Sequence, residues 1–570
     1  MQELFTEEGY KLYNDPERIP WDVHPRPLME RDSFLNLCGW WDFSVKEGDS
    51  VILENSSVRV PFPPESVLSG INTHFPEGAA LIYKREVELP PGFRKERLIL
   101  HVDAADQHAR VFADGKLCGS HDGGYEHFSM ELPVDKDSFS LVIETTDDLR
   151  DQDEPYGKQR IKRGGMWYTP FSGIWQSVWL ESVPDEYVKK LVINSGREEV
   201  SVSTQDESHE GLIRVFTPEG EESFELKGGE AVIKPRCIRN WCPEDPYLYH
   251  FELELKGGDH LRSYFALRDI RTGTDEDGVP RLFLNGKPCF FNGLLDQGYF
   301  SDGLSTPADP SLYESDIMKV KELGFNTLRK HVKVEPDLYY AACDRLGIVV
   351  FQDMINNGHY SFFHDTALPN IGFPNRDDTK IHVDDRTRSI FISRAKSAVK
   401  QLNSFPCILY WTIFNEGWGQ FDSVNMCRIF KEMLPDSIVD AASGWHDMGA
   451  GDVKSIHKYN DRYVFKASDK PVILSEFGGY TCRIGGHLLN EDKSYGYGAA
   501  ENPAELAERL EKLYREEIFP AVEKGLCAAI YTQLSDVEDE INGIFTYDHR
   551  VCKLPHDFRG FMADSAGQET

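Results

Sequence analysis

Short runs in which apolar and polar residues alternate, broken by turn formers, fill the first 182 residues of the chain. Leu81–Leu89, Arg97–Val102, Ala109–Ala113, Leu141–Thr145 and Ile174–Leu180 follow the two-residue period of half-buried strands and predict an antiparallel β-sandwich. Asp114-Gly115 stands between Val111–Ala113 and Lys116–Cys118 and predicts a tight hairpin there. Residues 183–271 repeat the pattern on a smaller scale, in Leu191–Ile193, Val200–Ser203, Ile213–Phe216, Ala231–Ile233, Tyr249–Leu255 and Arg262–Ala266. That spacing predicts an immunoglobulin-like sandwich, read as a spacer.

From residue 272 to the end at 570 the rhythm changes to strands alternating with helical patterns, which implies a parallel sheet. Eight apolar runs mark the strands: Cys289–Gly293, Asn326–Arg329, Val349–Gln352, Ile408–Phe414, Val439–Ala442, Val453–His457, Val472–Ser475 and Ala528–Thr532. Helical periodicity is clearest at Leu312–Leu323, Leu338–Leu346, Arg386–Leu402 and Ala504–Val522. Eight such units predict a (β/α)₈ TIM barrel, giving a multidomain chain of two β-sandwiches followed by a barrel.

Two stretches within the barrel share one grammar. Ile408–Phe414 is apolar throughout and stops at Asn415-Glu416-Gly417; Pro471–Tyr480 runs apolar and stops at Glu476, again followed by glycine. A lone strand-end glutamate reads more readily as a cap for the next helix. Two of them, at the ends where barrels keep their reactive groups, make a candidate carboxylate pair, the minimal equipment for glycoside hydrolysis.

Charge and composition narrow the partners. A net charge of −33 argues against nucleic acid and anionic membranes. No apolar run approaches the ~18 residues of a membrane span. The N-terminal residues carry neither a basic region nor an apolar core, so no secretory signal is read and a cytoplasmic location is expected. The 11 cysteines show no Cys-x-x-Cys pair and no zinc spacing, so reduced thiols and neither metal nor cofactor are expected. The acidic run Ser535–Glu540 lacks calcium-loop spacing and reads as a solvated face.

Phrases along the whole chain resemble glycoside hydrolase family 2, which includes β-galactosidases, β-glucuronidases and β-mannosidases. They are LNLCGWWDF (Leu35–Phe43), VPFPPESVLSGI (Val60–Ile71), FADGKLCGSHDGGYEHFS (Phe112–Ser129), GIWQSVWLE (Gly173–Glu181) and the two glutamate motifs. The resemblance implies a jelly-roll, sugar-binding type of sandwich at 1–182, an immunoglobulin-like sandwich at 183–271 and a catalytic barrel at 272–570. It further implies Glu416 as acid/base, Glu476 as nucleophile, Asn415 on a sugar hydroxyl, Arg329 beside the nucleophile and Tyr459 hydrogen-bonded to it.

Around these, His457 is read as a substrate contact or as an orienter of its neighbours. Asp296 and Gln297 are read as contacts to sugar hydroxyls, with a loop-capping aspartate as the alternative, and Trp418, Trp445 and Tyr547 are read as ring platforms or, equally, as core packing. The Asn-x-Lys element with which β-glucuronidases grip a carboxylate aligns with Glu540-Ile541-Asn542, which lacks the lysine. The leading expectation is therefore a retaining exo-β-glycosidase of the β-galactosidase type, acting on a glycoside or oligosaccharide; homo-oligomerisation stays open. One alternative is a β-uronosidase, for galacturonides or glucuronides, with Lys330 or Lys333 holding the carboxylate. Strand alternation is expected to turn those two lysines opposite ways. The other is an inactive carbohydrate-binding protein, against which the intact pair argues.

Overall fold

The computed structural model describes residues 4–562 apart from 372, 374, 375, 382, 460, 556, 557 and 559. Besides a two-stranded pair, Ala105–Asp106 with Gly173–Ile174, the first 183 residues build two large antiparallel sheets. One has six strands in the order Ser50–Val60, Gly39–Glu47, Ala80–Glu88, Ser138–Thr146, His108–Ala113 and Lys116–Asp122; the other pairs Leu35–Asn36, Val178–Val183, Arg97–Val102 and Phe128–Glu131. Alternate residues such as Trp41, Phe43, Leu81, Tyr83, Leu141 and Ile143 meet in one buried cluster between the sheets. The expected hairpin turns at Asp114 and Gly115, both at positive φ (47° and 73°), so that Ala113 faces Lys116. A three-stranded and a four-stranded sheet follow, with strands from Val192–Ser195 to His260–Phe265.

The remainder winds a parallel barrel. Its strands are β1 (Phe291–Asp296), β2 (Thr327–Lys330), β3 (Val349–Asp353), β4 (Ile408–Asn415), β5 (Ile438–Ser443), β6 (Lys454–Lys458), β7 (Val472–Phe477) and β8 (Leu526–Tyr531). The hydrogen-bonded order runs β5-β4-β3-β2-β1-β8-β7-β6, so the ladder is continuous everywhere except between β5 and β6. Every residue of β4 and β7 is buried, as expected for strands covered on both faces. Helices α1 (Ser311–Glu322), α2 (Asp337–Leu346), α3 (Asp385–Leu402), α4 (Ser423–Met433) and α5 (Pro503–Leu513) form the outer layer.

Two helical features differ from the sequence reading. Helix α4 was not anticipated, although Met426, Cys427 and Phe430 bury one face at helical spacing. The pattern Ala504–Val522 is not one helix: α5 ends at Leu513, a wide turn spans Tyr514–Ile518, and Phe519–Lys524 resumes. Pro520 explains the break, since it has no N–H for the carbonyl of Glu516, which instead accepts from Arg462 Nη2 at 3.2 Å.

The sandwiches are tied to the barrel through buried polar contacts. Trp241 Nε1 donates to Asp344 O at 2.8 Å, and Arg268 Nε to Pro406 O at 3.1 Å. The loop 154–168 of the first sandwich reaches over the barrel mouth, with Tyr156 N donating to Asn356 O at 3.2 Å and Tyr168 Oη to Glu540 Oε2 at 2.6 Å. All eleven cysteines are free, and among the described residues no helix is long and apolar enough to cross a membrane.

Candidate active site

Glu476 is the fifth residue of β7, and Glu416 follows the last residue of β4, so both stand at the C-terminal mouth of the barrel. One carboxylate oxygen of each, together with a ring nitrogen of His457, lies within 4.8 Å of the others. His457, on β6, sits between them: Nδ1 is 2.8 Å from Glu416 Oε1 and Nε2 is 3.5 Å from Glu476 Oε1. The same Nε2 lies 2.9 Å from Ser443 Oγ, which crosses the β5–β6 seam that no backbone ladder closes. These three side chains are the one group among the described residues with the composition and spacing to hold a metal ion. The hydrogen bonds among them and the neighbouring guanidinium account for the same arrangement without one.

Arg329 organises the floor. Ninety-nine per cent buried at its side chain, it donates from Nε to Asp353 Oδ1 (3.0 Å), from Nη1 to Glu476 Oε1 (2.9 Å) and Ser475 O (3.0 Å), and from Nη2 to Asn415 Oδ1 (2.9 Å). Three strand ends are thereby locked to one rigid cation. Tyr459 Oη makes a short hydrogen bond to Glu476 Oε2, and its ring stacks on Tyr497 with centroids 3.7 Å apart. Burial by itself would raise the Glu476 carboxyl. The charges of His457, Arg329 and His331 and the Tyr459 hydroxyl overcome it and bring the pKa down to about 2. Glu476 is thus held ionised. Asn415, its carbonyl oxygen taken by Arg329, keeps its amide N–H groups for other partners.

Glu416 has a left-handed backbone (φ 54°), unusual for a residue with a side chain, and is followed by Gly417 at φ 76°. A Cβ on Gly417 would lie 2.1 Å from His446 Cδ2, so the turn that presents Glu416 requires glycine. Glu416 N donates to Ser443 O at 2.9 Å, and Trp445 Nε1 donates to Glu416 O at 2.9 Å, fixing the turn from β5.

Other residues read from the sequence lie further from this centre. Trp418 is buried and packs edge-on against Trp167 (5.1 Å), its indole N–H donating to Gly358 O at 3.1 Å; Tyr547 is likewise buried. Trp445 stands edge-on to His457 at 5.6 Å. Asp296 is consumed by Lys330 Nζ (2.6 Å) and the N–H of Gly298 (2.9 Å), and Gln297 is buried beside it.

The two lysines offered for a carboxylate are corrected by the geometry. Both reach the same oxygen, Glu335 Oε1, each at 2.9 Å, and Lys333 gives its remaining donors to Gly298 O and Ser305 O. Strand alternation fails because Val332 adopts φ 42°, which breaks the extended chain between them. The run Ser535–Glu540 is also not a solvated face: its acidic residues are buried, Asp536 against Lys553 (2.6 Å) and Glu538 against Arg163 (3.1 Å). Loop 154–168 covers Glu538, Asp539 and Glu540, and the chain at Lys553 covers Asp536.

Asp353 and His331, which extend the Arg329 network (His331 Nδ1 to Asp353 Oδ2, 2.7 Å), were missed in the sequence. The signal was there for Asp353, a carboxylate ending an apolar strand as Glu416 and Glu476 do.

The sequence profile "Glycosyl hydrolases family 2, TIM barrel domain" matches residues 279–497. A β-galactosidase of Thermoanaerobacter pseudethanolicus is 22% identical over 375 residues, 62% of this chain and 46% of that protein. The chain thus spans about half the length of this relative. Among solved structures, a β-D-glucuronidase of Dictyoglomus thermophilum superposes over 95% of this chain and 98% of its own, with a TM-score of 0.72 at 17% identity. A GH2 β-galacturonidase of Eisenbergiella tayi, bound to galacturonate, superposes over 96% and 99%, with a TM-score of 0.66 at 18% identity. With paired glutamates at its mouth and a matching profile over residues 279–497, the barrel that follows the two β-sandwiches is a glycoside hydrolase family 2 TIM barrel domain.

Proposed function

We propose that the protein is a retaining exo-β-glycosidase. Glu476 attacks the anomeric carbon and forms a covalent glycosyl-enzyme, while Glu416 protonates the departing oxygen and then takes a proton from the water that releases the sugar. The observation that carries this reading is the separation of the carboxylates, whose facing oxygens lie within 4.8 Å. Retaining pairs stand about 5–5.5 Å apart, whereas inverting pairs leave about 6.5–9.5 Å for a water. The ionised state of Glu476 supports its role as nucleophile, and the free amide of Asn415 suits a sugar hydroxyl beside the anomeric centre. A purely sugar-binding role would leave the arginine–tyrosine clamp on a buried carboxylate without a purpose.

Two classes of terminal sugar fit. Neutral galactosides follow from the missing Asn-x-Lys lysine and from Glu540 in its place. Hexuronides are favoured by one specific observation, a cation of the first sandwich at the barrel mouth, developed below.

Proton NMR of the first-formed sugar tests the reaction class: the substrate's own anomer is expected, and an inverted first product refutes the reading. Glu476→Gln abolishes turnover on every substrate. Glu416→Gln keeps more activity on aryl glycosides with acidic leaving groups and is rescued by azide, giving a glycosyl azide of retained configuration. Equal losses on good and poor leaving groups, with no azide rescue, count against Glu416 as acid/base.

A further inference from the structure

Lys158 is the charge at the barrel mouth that the catalytic clamp leaves unused. It lies on the loop 154–168 that the first sandwich extends over the barrel. On one side the loop is seated on the chain beyond β2 and β3: Tyr156 N donates to Asn356 O at 3.2 Å, and Gly157, at φ 59°, packs so closely that an added Cβ would stand 3.0 Å from Val332 O. On the other side Lys158 O accepts from Tyr168 N at 2.9 Å, and the Tyr168 hydroxyl donates to Glu540 beyond β8 at 2.6 Å. Lys158 is therefore suspended between the ends of β2, β3 and β8. Its charge is felt at His331 and at Glu540, and each of these in turn acts on, or is acted on by, Glu476.

Lys158 is only 9% exposed as a residue, yet among the described residues its ammonium has neither a hydrogen bond nor an ion-pair partner. It faces the ring of Trp167, 5.8 Å away. Arg329 is engaged by Glu476 and Asp353, Lys330 and Lys333 by Glu335, and Arg163 by Glu538, while Arg160 of the same loop lies over Trp167 at 3.8 Å and near Tyr360 at 5.2 Å. Glu540 accepts from the Tyr168 hydroxyl and the Asn542 amide (3.1 Å) and makes no ion pair with Lys158. A largely buried lysine whose ammonium has no ion-pair partner is placed to receive a ligand that supplies the opposite charge.

We propose that Lys158 is a specificity-determining residue of the catalytic pocket, its ammonium pairing with the carboxylate of a terminal hexuronide. The inference rests on the glycosidase reading and names its substrate class. It moves the carboxylate-holding cation from the barrel, where the sequence placed it at Lys330 or Lys333, to the first sandwich.

The test compares kcat/KM of the full chain for nitrophenyl β-galacturonide, β-glucuronide and β-galactoside in the wild type, Lys158→Met and Lys158→Arg. A charge-assisted hydrogen bond predicts that the better uronide-to-galactoside ratio falls about tenfold to hundredfold in Lys158→Met, with partial recovery in Lys158→Arg. A ratio that moves less than threefold, or an equal loss on both sugars, overturns the proposal. Calorimetric titration with free galacturonate and glucuronate supplies a readout that needs no turnover: the wild type binds one of them, and Lys158→Met weakens it at least tenfold. If the wild type cleaves no glycoside, the glycosidase reading fails, while the titration still decides Lys158. Equal affinity in the wild type and Lys158→Met refutes it.

Discussion

Replacing Arg329 by methionine, which keeps most of the apolar stem and removes the guanidinium, tests how the pocket keeps Glu476 charged. The wild-type carboxyl of Glu476 titrates at about 2, against an ordinary glutamate value of 4.5. Burial pushes it upward, and His457, Arg329 and His331 pull it down. Arg329 alone contacts it with a permanent charge at 2.9 Å. Losing such a neighbour moves a carboxylate by about 1–3 pH units, or about 1.4–4 kcal/mol. The assay is the pH dependence of kcat/KM, whose acid limb reports the free enzyme. That limb should move from below pH 3 in the wild type into the range of about pH 3–5 in Arg329→Met. The same shift has a stability consequence. Because the folded pKa lies below the unfolded one, the unfolded chain takes up the proton first on acidification. The contribution is then complete above about pH 4.5 and lost as the pH falls toward 2. The variant should therefore melt lower at pH 7, with the gap narrowing in acid. An acid limb that stays in place in a folded variant would falsify the assignment of Arg329 as the group that holds Glu476 ionised.

Tyr459→Phe removes one hydrogen bond to the charged Glu476 and should lower kcat about tenfold to hundredfold with little change in melting temperature; an unchanged kcat refutes a role for the hydroxyl. In Gly417→Ala the new methyl meets His446 at 2.1 Å and the backbone is held at φ 76°, so kcat/KM should drop by more than tenfold as Glu416 is displaced. Wild-type kinetics in that variant would show that the turn tolerates a side chain. Lys333→Met breaks a buried cluster in which one ammonium serves Glu335 and two carbonyls, and should cost about 3–5 kcal/mol in chemical denaturation. Its uronide-to-galactoside ratio should stay within threefold of wild type, in contrast to Lys158→Met.

The strand-and-helix grammar of the barrel was legible in the sequence because period and burial are local properties. Ile408–Phe414 is apolar at every position, and it folds as a strand buried on both faces. Glu416 and Glu476 were legible for the same reason, since a charge that ends such a run has only the barrel mouth to occupy. The side chains around them were less so. Asp353 ends its strand with the same grammar, yet nothing in its neighbours says that Arg329, 24 positions away, will bond it. The opposite facing expected of Lys330 and Lys333 assumed extended backbone, and Val332 at φ 42° turned both toward Glu335. The acidic run Ser535–Glu540 looked solvated because charge favours water, but loop 154–168, more than 350 residues earlier, covers Glu538, Asp539 and Glu540 and supplies Arg163 and Tyr168. Lys158 belongs to that class. Periodicity assigns a residue to a strand, a helix or a face, whereas which distant charges share a pocket is decided by the docking of one domain on another, and only the tertiary structure brings Lys158 to the barrel mouth.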